Sequence, residues 1–115
     1  MKIKEFATGA GVSESAIRYY EKIGVLQPIG RQKNGYREFD DQDILWMEFV
    51  NRLRTTGMSI ENIVKYAQLR ELGGSSVSER LAILETHEAK IVSELQEKAI
   101  HLQRLREKIA QYKKF

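Results

Sequence analysis

Glu14, Ser15, Arg18, Tyr19 and Lys22 recur at helical spacing and would share one face of a short helix. An arginine fork fits guanine edges or phosphate oxygens, tyrosine and serine hydroxyls donate to phosphate, and a lysine adds a point charge. This face suits a polyanion with readable edges, which is duplex DNA. Two elements must hold it in place. Ala7, Gly11 and Ile17 follow the pattern Ala-x3-Gly-x5-Ile, which two steeply crossing helices require: a small residue at the crossing, a glycine able to take positive φ in the turn, and an apolar anchor beneath the second helix. The spacing predicts a first helix over about Ile3 to Thr8, with Ile3, Phe6 and Ala7 inward. A second helix should start at the N-cap Ser13, run to about Ile23, face Ile17 and Tyr20 inward and end at Gly24.

Further along, Arg31-Gln32-Lys33-Asn34-Gly35-Tyr36-Arg37 contains Asn-Gly, a strong hairpin signal because both residues tolerate the positive φ of a type I′ turn. A two-stranded basic wing is expected there. From Arg18 to Arg37 five basic residues stand against one acid, Glu21, so charge gathers just behind the predicted turn. Arg31 and Lys33 have two readings, contact with DNA or protection of an exposed strand edge. Asp40 or Asp41 should cap a third helix with Ile44, Leu45, Phe49 and Leu53 inward, stopping near Gly57. Ser59 should begin a fourth, with Ile60, Ile63, Val64 and Ala67 on one stripe, ending near Leu72.

Gly73-Gly74-Ser75-Ser76 reads as a hinge, since it lacks the Gly-Lys-Ser/Thr ending and the preceding strand of a phosphate-binding loop. Beyond it the apolar positions advance alternately by three and four: Leu81, Leu84, Glu88, Ile91, Leu95, Lys98, Leu102, Leu105, Ile109, Tyr112. This heptad seam implies a single helix of roughly 50 Å. Its stripe must find a second copy of itself, so a homodimer is expected. A parallel pair would set Glu88 on Glu88 and Lys98 on Lys98. An antiparallel pair centred near Ser93 sets Glu88 on Lys98 of the partner copy and leaves the other layers apolar. The expected architecture is mainly α: a winged helix-turn-helix head over 1–72, a hinge over 73–77 and a dimerising antiparallel coiled-coil helix over 78–115.

The 115 residues contain no cysteine, which excludes disulfides, thiolate metal sites and thiol redox chemistry. No apolar run is long enough for a membrane span or an export signal, so a cytoplasmic protein is expected. The formal charge of +3 carries little weight beside the placement of the charges. His87 and His101 share a heptad position, yet a metal needs further ligands, so both are read as solvated on a coil flank. Trp46, Met47, Phe49, Met58 and Tyr66 are read as core, with a small-molecule pocket at the junction of head and coil as the alternative. No Ser, His and acid grouping and no His-Glu-x-x-His helix suggests catalysis, so no enzyme and no cofactor are expected.

Ile17-Arg18-Tyr19-Tyr20-Glu21 with Gly24-Val25-Leu26, then Asn34-Gly35-Tyr36-Arg37 with Phe39, then Leu53-Arg54-Thr55-Thr56-Gly57-Met58-Ser59 leading into Ile60, resemble the MerR family of bacterial transcription regulators. The likeness spans nearly the whole chain. It implies that Arg18 and Tyr19 meet DNA, that Tyr36 and Arg37 of the wing meet backbone phosphate, and that the amides around Ser59 receive phosphate. With Ser15, Lys22 and Lys33 these make up the expected DNA-binding set. It also implies a promoter operator, a distorted spacer and RNA polymerase as a partner at the promoter. Family members that sense metals or oxidants carry cysteines at the start of the dimer helix and in a loop after it, and this chain has none. The effector, the operator and the sign of regulation are not written in the sequence. A competing reading is a coiled-coil interaction module that binds protein and not DNA.

Overall fold

The computed structural model describes residues 1–27 and 38–115. The expected hairpin, with Lys33, Tyr36 and Arg37, lies outside the described residues. In chain order the described elements are α1 (Ile3–Ala10), α2 (Glu14–Lys22), α3 (Asp41–Thr55), α4 (Ile60–Glu71), a 3₁₀ turn (Gly73–Ser76) and α5 (Val77–Tyr112). The chain divides into two compact units, Met1–Arg80 and Leu81–Phe115.

In the first unit α1 packs on α2 and α3, and α3 on α4. The predicted turn is present. Gly11 caps α1 with φ 71°, and the amides of the cap donate to Ala7 O and Thr8 O. Ala7 is 7% exposed and Ile17 fully buried, as the Ala-x3-Gly-x5-Ile spacing requires. A Cβ added at Gly11 would touch nothing within 4 Å, so the glycine serves backbone conformation and not space. Gly11→Ala should therefore lower stability by about 1–2 kcal/mol, the cost of a left-handed Cβ, which in a unit of this size moves Tm by roughly 4–8 °C per kcal/mol. Gly11→Asn should recover much of the loss, because asparagine enters that region more readily. Thermal unfolding followed by circular dichroism checks both.

The α1–α3 contact is close for a different reason. A Cβ at Gly9 would stand 2.9 Å from Ile44 Cδ1, so the missing side chain is what lets the two helices approach. Asp40 caps α3 with a complete capping box: its carboxylate accepts from Asp43 N at 3.0 Å, and the Asp43 carboxylate accepts from Asp40 N at 3.0 Å. Next to this cap, Phe39 N donates to Met1 O at 2.7 Å, the terminal amine donates back to Phe39 O, and the Phe39 ring packs 4.2 Å from that of Phe6. The start of the chain and the residue before α3 are thus tied into the same core.

The buried face of α3 differs from expectation. Leu45, expected inward, is 56% exposed, and Ile44 and Phe49 are half-buried, whereas Trp46, Met47, Val50 and Leu53 are buried. The indole decides the phase. Trp46 Nε1 donates to Val25 O at 2.9 Å and its ring stacks on Tyr66 of α4 at 5.9 Å, so one side chain satisfies both its polar tip and its apolar body by facing inward. Arg70 of α4 covers the indole with its guanidinium 4.2 Å from the ring centroid.

Two other features depart from the sequence reading. Gly73–Ser76, expected as a hinge, is an ordered 3₁₀ turn with Ser76 buried, packed against α4. His87, expected to be solvated, is 8% exposed, while His101 is exposed. In the second unit α5 runs on as one helix with no proline or glycine, and its 36 residues span about 54 Å.

Candidate nucleic-acid interface

The candidate recognition surface lies on α2. Ser13 lies in extended conformation and its Oγ accepts from Ala16 N at 3.1 Å, which fixes where the helix starts and therefore which residues face out. Ile17 is the buried side of this helix. Opposite it, Ser15, Arg18, Tyr19 and Lys22 are all exposed and share the outer surface. Arg18 has 65% of its side chain in solvent and stands 3.8 Å from Glu14 Oε1, one turn earlier. The Tyr19 ring lies 5.8 Å from that of Tyr20 and is 48% exposed, which leaves its hydroxyl open to solvent-side partners. Ser15 Oγ is 3.1 Å from Ser13 Oγ, which orients it at the helix start.

A second candidate contact is the turn between α3 and α4. Ser59 is exposed and caps α4, its Oγ accepting from Asn62 N at 3.2 Å. The first amides of α4 have no partner within the helix, and the helix dipole adds partial positive charge there. Arg54, whose place in the sequence points to no role by itself, stands beside this turn. Its Nη1 donates to Met58 O at 3.4 Å, which sets a guanidinium beside the same helix start. The signal that could have found it is its position one turn before the Gly57 break, where φ is 95° and α3 must stop.

Among the described residues no group of three His, Cys, Asp or Glu side chains is placed to hold a metal ion. No helix is long and apolar enough to cross a membrane, again among the described residues. The outer face of α2 is polar and carries two cationic side chains, Arg18 and Lys22.

The seam residues lie along α5. Leu81, Leu95, Leu102, Leu105 and Ile109 are between 45% and 62% exposed in the single chain, Leu84 and Ile91 are half-buried, and Glu88 and Lys98 are exposed on the same stripe. Charge along this helix is segregated. Residues 77–97 carry five glutamates and two basic residues, whereas 98–115 carry six lysines and arginines and the single acid Glu107.

A helix-turn-helix head that exposes an arginine and a tyrosine, followed by a long helix with an uncovered apolar row, defines a DNA-binding transcription regulator. The profile of the MerR HTH family of regulatory proteins matches residues 1–70. AdhR, an HTH-type transcriptional regulator of Bacillus subtilis (strain 168), is 34% identical over 92 residues, covering 80% of this chain and 66% of that protein. A MerR family transcriptional regulator from Listeria monocytogenes superposes with a TM-score of 0.91 at 34% identity, over 97% of this chain and 85% of that one. HiNmlR, a MerR family regulator lacking the sensor domain and crystallised bound to promoter DNA, superposes with a TM-score of 0.87 at 31% identity, over 98% of this chain and 90% of that one. This chain belongs to the MerR family and is a regulator, not an enzyme.

Proposed function

We propose that the chain works as a homodimer that reads a pseudo-palindromic promoter operator, one α2 per half-site. The observation that carries this reading is the exposed Arg18 and Tyr19 pair, held outward by the Ser13 cap and the buried Ile17. The likeness to HiNmlR, crystallised on promoter DNA, supports it. Arg18 would reach base edges or phosphate, while Ser15, Tyr19 and Lys22 hold the backbone and Ser59 presents the α4 amides to phosphate. The basic segment with Lys33, Tyr36 and Arg37 would form the wing beside the groove. Such a dimer acts in the cytoplasm, distorts the spacer it binds and meets RNA polymerase there. Deforming DNA costs on the order of a few kcal/mol, which differential contacts in two dimer states can supply.

The seam supports the dimer. A row of half-exposed leucines on a single helix is not stable in water without a covering partner. The segregated charge favours head-to-tail pairing, because the acidic first half of α5 then lies beside the basic second half of its partner. In the register centred near Ser93, Leu81 meets Leu105, Leu84 meets Leu102, Glu88 meets Lys98 and Ile91 meets Leu95. Lys98→Glu should weaken the dimer on the order of tenfold by setting like charges together in two symmetric layers, and adding Glu88→Lys should restore it. Sedimentation at several protein concentrations reads this, and absence of rescue excludes the register.

The function is tested by selecting bound duplexes from a random pool and then titrating the winner across salt concentrations. The expected result is an inverted repeat whose affinity falls steeply with salt, as phosphate contacts require. A protein that selects no duplex and shows no salt-dependent shift would instead be a coiled-coil interaction module.

A further inference from the structure

The four residues whose composition most suggests flexibility are held by side-chain bonds. Ser76 is 1% exposed, and its hydroxyl is directed at Leu69 O, in the last turn of α4, and at Gly73 O, 2.9 Å away. Arg80, one turn into α5 and half-buried, closes the arrangement from the other side. Its Nε donates to Ser76 Oγ at 3.0 Å and its Nη2 donates to Gly73 O at 3.0 Å. The planar guanidinium reaches both acceptors in one rigid geometry, which an ammonium on a flexible stem does not reproduce. One carbonyl in the last turn of α4, Leu69 O, is thereby engaged, and Arg80 in the first turn of α5 is tied to it through Ser76 and to Gly73 of the 3₁₀ turn.

All of these groups lie within Met1–Arg80, and past Arg80 the helix continues without a proline or glycine to absorb a bend. These bonds hold the first turn of α5 within the first unit. We propose that Ser76 and Arg80 are positioning residues that lock the α4-to-α5 joint and so fix the half-site separation that the dimer accepts. This rests on the dimeric operator reading above. Neither residue touches DNA in this scheme. Each acts through the backbone carbonyls of Leu69 and Gly73.

Two measurements test the latch. The first needs no DNA. Since the chain has no cysteine, Gln68→Cys with Ala89→Cys places one spin label on α4 and one on α5 cleanly, and dilution with unlabelled chains isolates the distance within one chain. The parent should give one narrow distance distribution. Arg80→Ala and Ser76→Ala should broaden it, and Arg80→Lys, which keeps charge and stem but loses the fork, should broaden it as well. A width unchanged in Arg80→Ala and Arg80→Lys overturns the proposal, as does failure of all three variants to fold, because the residues would then be structural only.

The second uses the selected operator with its half-sites moved apart one base pair at a time, each step turning one half-site by about 34–36° about the duplex axis. The parent should lose roughly tenfold affinity one step from its optimum. Arg80→Ala should flatten that difference below about threefold while its affinity for a single half-site stays at the parent's value. A sharp profile in the variant overturns the proposal. A parent that ignores half-site spacing altogether would refute the operator reading instead, leaving the spin-label result to decide the latch.

Discussion

Leu95→Glu is expected to convert the dimer into single chains. In the proposed register Leu95 meets Ile91 of the partner copy in two layers flanking the two-fold axis, so one substitution changes both central layers. Burying a leucine contributes roughly 1.5–3 kcal/mol, which doubles by symmetry, and a carboxylate in its place adds a desolvation cost. A weakening of at least about a thousandfold in dimer affinity follows. Sedimentation should show the single-chain mass at micromolar concentration, and helical circular dichroism should fall as the uncovered α5 frays. Operator binding should go with it, although the head remains folded. A Leu95→Glu protein that stays dimeric would move the contact to another face of α5, such as the one carrying Val92 and Ile100, which are also exposed.

Arg18→Ala should abolish operator discrimination while leaving the dimer intact. A bidentate arginine contact discriminates by about 1–3 kcal/mol, and the two-fold axis presents it twice, so the operator should weaken by at least about 30-fold. Arg18→Lys separates the two components of that loss. It keeps the charge, and hence the slope of affinity against salt, but lacks the planar fork, so preference for the operator over random duplex should still collapse. Equal binding by the parent and Arg18→Ala would exclude α2 as the reading helix. The exposure of Arg18 makes a fold-level explanation of any loss unattractive, because the side chain supports no core contact.

The recognition helix was legible in the sequence because everything that builds it is local. Ala7, Gly11, Ser13 and Ile17 lie within eleven positions, and each has one dominant physical reason to be where it is. The Ser59 cap was legible for the same reason, and the α3 cap was narrowed to Asp40 or Asp41, of which Asp40 holds the position. The face of α3 was not, because the helix carries two overlapping apolar stripes, and periodicity alone does not choose between one through Leu45 and one through Trp46 and Val50. The choice was made at a distance, by the Val25 carbonyl that receives the indole N–H and by Tyr66, which stacks on the ring. Gly73–Ser76 misled for a related reason: glycine and serine composition describes a free segment, whereas the burial of Ser76 depends on Arg80 and on the Leu69 carbonyl. The continuity of α5 could be read directly, since its sequence holds no proline or glycine. The burial of His87 carried no sequence signal.

The carboxylate of Glu14, one turn from Arg18, would give the head a built-in competitor for the guanidinium that the proposed function assigns to reading. An exposed pair of this kind is worth only about 0–1 kcal/mol, so a matching guanine edge displaces it at little cost. At a site where no guanine edge stands in register with Arg18, the acid would keep the guanidinium and repel the sugar-phosphate rail. If Arg18 reads the operator as proposed, a misplaced head would be held more weakly than a correctly placed one, and each unproductive stop on a long duplex would be shorter.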